Sequence, residues 1–151
     1  MSVSISKILQ VLDNPEALQN WRERVGHEEA ERISKRSASV GTAMHKFLEH
    51  WIRDNKDCVD ETEEGILGRK MATKIYEHAI KNKLEDCWDM EARLKFGDYY
   101  HGRLDLSGIY YHQPCVIDFK QANKPKRKEW CWKYMCQLAA YVMAYNKTFP
   151  N

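Results

Sequence analysis

The chain has 151 residues, 43% of them hydrophobic and 30% charged, with a net charge of +2. These values exclude a disordered polyelectrolyte and leave any polyanion-binding signal to local clusters rather than to overall charge. The five cysteines, Cys58, Cys87, Cys115, Cys131 and Cys136, are odd in number and lack C-x-x-C spacing, which argues against a disulfide framework or zinc knuckle.

The expectation is therefore one domain, long enough for a real core, with reduced thiols in an intracellular, cytoplasmic protein. The opening MSVSISKILQVL lacks the pattern of a secretion signal, and no window reaches the ~18 apolar residues of a membrane span, so no membrane partner is expected. Asn14-Pro15 reads as a helix cap and first turn, followed by a short amphipathic helix up to Gly26. The charge-rich HEEAERISKR suits a solvated helical face. From Thr42 the pattern changes. Met44, Phe47, Leu48, Trp51 and Ile52 recur at three- and four-residue spacing and predict a helix with one buried stripe, beside which His45 and Glu49 stand four apart. ETEEGILGRKMATKIYEHAIKNK predicts a second helix, acidic in its first turn and basic in its last.

The period then shifts to two. In MEARLKF, Ala92, Leu94 and Phe96 alternate with Glu91, Arg93 and Lys95, predicting a half-buried strand that ends in a Gly97-Asp98 turn. In YYHGRLDLSGIYY, Leu104 and Leu106 alternate with Arg103, Asp105 and Ser107. After a joint at His112-Gln113-Pro114, CVIDF reads as a third strand of a meander, apolar on both faces except at Asp118. A basic loop, NKPKRK, leads into a helix with Met135, Leu138, Ala139, Val142 and Met143 toward the core. The fold class expected is α/β, with a small mixed sheet flanked by helices.

Strand alternation puts Asp118 and Lys120 on one face and Phe119 on the other. Asp105 on the preceding strand is close enough for two carboxylates to converge, since cross-strand neighbours approach within about 5 Å. Two such acids raise each other's pKa unless a cation stands between them. A hard divalent ion, Mg²⁺ or Mn²⁺, suits that donor set, and Lys120 could offset charge developing on a phosphoryl group. The simpler alternative is a salt-bridged pair at a strand end.

Four motifs in order, Gly41-Thr42-Ala43-Met44-His45, Gly102-Arg103-Leu104-Asp105, Ile117-Asp118-Phe119-Lys120 and Gln137-Leu138-Ala139-Ala140-Tyr141, resemble the PD-(D/E)XK nuclease superfamily, and within it the RecB-type exonucleases of phages and of mitochondrial genome maintenance. The resemblance runs from about Ser4 to Asn146. It implies a restriction-endonuclease-like core, with residues 1–40 as a helical N-terminal part and 41–151 as the catalytic core. It implies metal ligands at His45, Asp105 and Asp118 and the carbonyl of Phe119, a catalytic lysine at Lys120, and a Gln137–Tyr141 pair that positions lysine, water or DNA. Glu49 and Glu91 are candidates to flank that site, and His101 is the remaining histidine nearest to it in sequence. Some RecB-type relatives hold an iron–sulfur cluster through four cysteines, an arrangement these five do not match, so no cluster is expected.

Lys124, Lys126, Arg127 and Lys128, followed by Trp130, Trp132 and Tyr134, offer cations for phosphates and ring faces for bases, as a single-strand groove requires. Arg36 and Ser39, in the basic and hydroxyl-bearing stretch Lys35 to Ser39, are a second candidate contact, in which amides at a helix start would take part. The function expected is a metal-dependent DNA exonuclease acting on single strands or free ends. The alternatives are a structure-specific endonuclease of the same fold and a non-catalytic nucleic-acid-binding module. Superfamily members place a further strand after the Q-x-x-x-Y helix. Its absence here suggests a minimal version, or a sheet completed by a partner, a second copy included.

Overall fold

The computed structural model describes residues 2–122 and 124–150. Among these residues the fold is mixed α/β, with two three-stranded sheets and five α-helices. The chain divides into two units, Asn14–Lys81 on the one hand and Met1–Asp13 with Asn82–Asn151 on the other. Among the described residues no helix is long and apolar enough to cross a membrane.

The Asn14–Lys81 unit is helical. α2 (Pro15–Val25) begins where the Asn14 side chain accepts from the Ala17 amide at 3.1 Å, and stops at Gly26, whose φ of 88° ends the helical path. α3 (His27–Arg53) is one uninterrupted helix. Gly41 does not break it, because the stripe Val40, Ala43, Met44, Phe47 and Leu48 is buried on both sides of that position. α4 (Glu63–Ile75), capped by the Thr62 hydroxyl, packs on that stripe. The helices approach so closely at Gly68 that a Cβ there would sit 2.6 Å from the Ala43 Cβ and 2.9 Å from the Val40 carbonyl oxygen. A single π-helical turn, Tyr76–Ile80, extends the α4 segment.

One expectation changes here. Arg36 and Ser39 lie several turns inside α3, not at its start, so their amides serve the helix and cannot reach a phosphate.

In the other unit, β1 (Val3–Ser4) and α1 (Ile5–Ile8) precede β2 (Leu84–Met90), β3 (Arg93–Phe96), β4 (Tyr100–Arg103), β5 (Leu106–Tyr110), β6 (Gln113–Ile117) and α5 (Trp132–Thr148). The sheets run β1-β4-β3, with β1 parallel to β4, and β2-β5-β6, antiparallel throughout. The second strand of the expected meander is thus cut in two at Leu104-Asp105, while the first, expected over 90–96, is shortened to β3 and preceded across Glu91-Ala92 by β2, a strand the sequence pattern did not suggest. Two backbone bonds of 3.0 Å, Glu91 amide to Asp105 carbonyl and Leu104 amide to Ala92 carbonyl, carry the pairing across the cut. Glu91 stands there with a left-handed φ of 54°.

The β5–β6 turn is Tyr111-His112, both at positive φ, one residue before the joint expected from Pro114; the register Tyr110↔Gln113 makes it a two-residue hairpin. β6 ends at Ile117, so Asp118 and Lys120 follow the last ladder residue instead of lying within the strand.

α5 turns a different face inward from the one its apolar residues suggested. Met135, Val142 and Met143 are exposed, while Tyr141 and Ala144 join Ile5, Leu9, Leu94 and Leu104 in the core. The helix has two partly apolar faces. The one carrying Tyr141 wins because the Gln137 amide satisfies its hydroxyl at 2.8 Å.

Candidate active site

Because the ladder is interrupted at Asp105, its side chain can do what a ladder carbonyl would otherwise do. The buried carboxylate accepts the Phe119 amide at 2.6 Å through Oδ2. This bond ties the segment after β6 to the break between β4 and β5, and it places Asp105 beside the Asp-Phe-Lys sequence. Phe119 is buried at 6% exposure, while its neighbours Asp118 and Lys120 pair with each other.

The Lys120 Nζ meets Asp118 Oδ2 at 2.5 Å. Asp118 keeps only 6% of its side chain in solvent, against 36% for Lys120. One partner is fixed and dry; the other has room to move.

Glu91, expected at the flank of the site, offers a carboxylate oxygen within 4.8 Å of one from Asp105. Two acids so close repel unless cations answer them. Arg103 does so for Glu91, at 2.7 Å to its carboxylate and 3.1 Å to its carbonyl oxygen. The signal for Glu91 lay in the register, since the break opposite Asp105 is what brings the two together.

Gln137 and Tyr141, four apart on α5, hydrogen-bond to each other. Burial pushes the Tyr141 phenol above its ordinary value; the Asp118 and Asp105 carboxylates add to the shift, while the Gln137 amide and the Lys120 ammonium oppose it. The hydroxyl therefore stays protonated, within the field of both acids. Gly102 makes room for this ring. A Cβ there would lie 2.6 Å from Tyr141 Cε1 and 3.1 Å from Ile5 Cγ2.

The basic loop comes to the same lysine through an aromatic ring. Lys120 and Lys126 lie over Tyr134 at 5.4 and 4.7 Å from its centroid, and the Lys126 Nζ also contacts the Tyr134 hydroxyl. The interleaving of basic and aromatic residues pointed to this loop, but not to a ring shared with Lys120. Arg127 covers one face of Trp130 at 5.5 Å, and Trp130 and Trp132 are 63% and 67% exposed, so neither is a core residue. Lys124 and Lys128 are exposed.

The remaining candidates, His101 apart, belong to the helical unit. His45 is half-buried on α3 between Met44 and Phe47, and its place among metal ligands rests on the motif resemblance. Glu49 is paired with Arg53 at 2.6 Å. Arg36 is engaged by Glu63 at 3.2 Å and Glu64 at 3.7 Å, and Ser39 is exposed. His101 lies on the exposed side of β4, 3.0 Å from the Ser2 hydroxyl.

Glu91 and Asp105 bring carboxylate oxygens within 4.8 Å of each other, whereas Asp118, expected as a further ligand, is not part of that cluster and is engaged by Lys120. No known family model matches the chain, and no curated protein matches it.

Proposed function

We propose that this chain is a Mg²⁺- or Mn²⁺-dependent deoxyribonuclease with a restriction-endonuclease-like core, removing nucleotides from DNA ends with a preference for single strands. The observation that carries this reading is the buried Asp105 carboxylate, bonded to the Phe119 amide between Asp118 and Lys120, with Glu91 within 4.8 Å. Collecting buried acids at one point is unfavourable for folding, and apolar residues of similar size would serve stability better.

Asp105, Asp118, Glu91 and the Phe119 carbonyl would hold the ion, and the motif resemblance adds His45. When bound, the ion acidifies water and polarises a phosphoryl oxygen. The protein's own groups do the rest. Lys120, tethered to Asp118 but partly in solvent, can turn to a phosphoryl oxygen and offset the charge that develops there. Tyr141 and Gln137 fix a protonated hydroxyl beside the acids, suited to orienting water or the lysine. Lys126 and Arg127 supply cations, and the exposed faces of Trp130 and Trp132 supply stacking surfaces for unpaired bases. The motif resemblance implies products ending in 5′-phosphate and 3′-hydroxyl.

The test incubates wild type and Lys120→Ala with end-labelled single-stranded DNA and Mn²⁺, with and without EDTA. Metal-dependent release of mononucleotides, lost in the variant, is the expected result. Internal fragments would make the enzyme an endonuclease. Binding without cleavage by wild type would leave a non-catalytic nucleic-acid-binding module.

A further inference from the structure

The β3–β4 ladder carries a second charged surface that the proposed chemistry does not use. Its register pairs Leu94 with Gly102 and Phe96 with Tyr100, and these residues pack toward α5. Alternation therefore turns Arg93, Lys95, His101 and Arg103 to the other face, where all four are exposed.

The register sets Arg93 directly across from Arg103, and Lys95 across from His101. The two guanidinium charges, opposite one another on the ladder, disfavour pairing. Local acids only partly relieve this. Arg103 is tied to Glu91, but the carboxylate near Lys95 is Asp98, at 3.3 Å and with 95% of its side chain in water, a pairing worth little. Arg93 has no acidic partner among the described residues. β1 adds the Ser4 hydroxyl, in register with His101. Ser4, Arg93, Lys95, His101 and Arg103 line a concavity of about 690 Å³ that also includes Gly102 and Tyr141.

We propose that this face is a track for the phosphodiester backbone of a DNA strand, separate from the loop at Lys124 to Lys128. That the polyanion is DNA rests on the nuclease reading above; that it is a strand follows from the arrangement. The two rungs, Arg93/Arg103 and Lys95/His101, stand about 6.8 Å apart along the strands, so neighbouring phosphates of one backbone can meet both. Lys95 exchanges the exposed Asp98 for a phosphate, Arg93 gains an anionic partner, and the Ser4 hydroxyl can donate to a phosphate oxygen. Contacts to phosphates carry no base information, so a track of this kind is indifferent to sequence.

The test measures binding of a short fluorescent single-stranded oligonucleotide by anisotropy over a range of salt concentrations, in EDTA to block cleavage. It compares the full chain with the Arg93→Gln/Lys95→Gln variant and the charge-preserving Arg93→Lys/Lys95→Arg variant. Removing two phosphate contacts should lower the slope of log K against log salt by about 1.4, at about 0.7 per cation on a single strand, and weaken affinity about tenfold at moderate salt. The charge-preserving variant should bind like wild type. Unchanged affinity and slope in the Gln variant would overturn the proposal. So would an equal loss in the charge-preserving variant, or competition by a mononucleotide as effective, per phosphate, as that by the oligonucleotide.

Hydrolysis of bis(p-nitrophenyl) phosphate in Mn²⁺ separates this proposal from the reading beneath it. A wild type that cannot hydrolyse that diester, yet loses DNA affinity in the Gln variant, would refute the nuclease and keep the track. Equal hydrolysis by both proteins with unchanged binding would refute the track alone.

Discussion

Charge is handled in two opposite ways within the unit formed by Met1–Asp13 and Asn82–Asn151. Around Asp105 the acids are buried or nearly so and each is answered at short range: Asp105 by the Phe119 amide, Asp118 by Lys120, Glu91 by Arg103. On the outer face of β3 and β4, and in the loop before α5, the cations are exposed and their partners are few, solvated or aromatic. A buried charge must be committed locally because desolvation is expensive, whereas an exposed one can leave a weak partner for a stronger ligand. The first arrangement suits a fixed reaction centre. The second suits a surface over which a polymer moves.

Four perturbations sharpen or break that contrast. The largest effect belongs to Lys120→Ala, which should slow metal-dependent cleavage about 10²–10³-fold, the range seen when one charge-stabilising donor is removed. Thermal stability should fall moderately, since Lys120 is partly in water but Asp118, with 6% of its side chain in solvent, loses its counter-charge. A melting temperature that collapses along with activity would mean that the pair is structural.

Next is Gly102→Val, whose side chain would enter the space of the Tyr141 ring and destabilise by about 1–3 kcal/mol. The urea midpoint measures this, and an unchanged midpoint would show that the ring is not held where cleavage needs it. Trp130→Ala should leave stability unchanged and weaken single-strand binding by about 1–3 kcal/mol, provided a base stacks on the exposed ring. Anisotropy decides, and equal affinity would remove Trp130 from the interface.

The smallest effect is that of Tyr141→Phe, which removes the hydrogen bond to Gln137, worth about 1 kcal/mol. Its signature is in the pH dependence. A phenol whose folded pKa lies above its unfolded value contributes stability that is fully present below the unfolded value of about 10 and is lost as pH rises through the folded one. Wild type should therefore lose stability above pH ~10 more steeply than Tyr141→Phe in urea titrations. Burial raises Tyr100 and Tyr145 in the same direction, so the variant should keep part of the slope.

Much of the local structure was legible because caps and periodicity are local signals. Asn14-Pro15 starts α2, Gly26 ends it, and the Gly97-Asp98 turn separates β3 from β4. What could not be read depended on partners distant in sequence. Gly41 looked like a boundary, and only the packing of Val40, Ala43 and Met44 against α4 explains the continuous helix. The inward face of α5 was misassigned because Met135, Val142 and Met143 are the more apolar choice, and nothing nearby in sequence shows that Tyr141 has room opposite Gly102. At the candidate site the Asp-x-Lys spacing foretold the Asp118–Lys120 contact. The bond from Phe119 to Asp105 and the approach of Glu91 arise from a break in the ladder that alternation conceals.

That break has a thermal consequence. A glutamate held at φ 54° carries a standing penalty of about 1–2 kcal/mol that asparagine largely avoids, since its short side chain tolerates the left-handed region. Glu91→Asn should accordingly melt at a higher temperature than wild type while turning over more slowly, for want of the carboxylate beside Asp105. On the nuclease reading, heat tolerance and turnover would pull on one backbone angle in opposite directions, and selection for endurance alone would act first at Glu91.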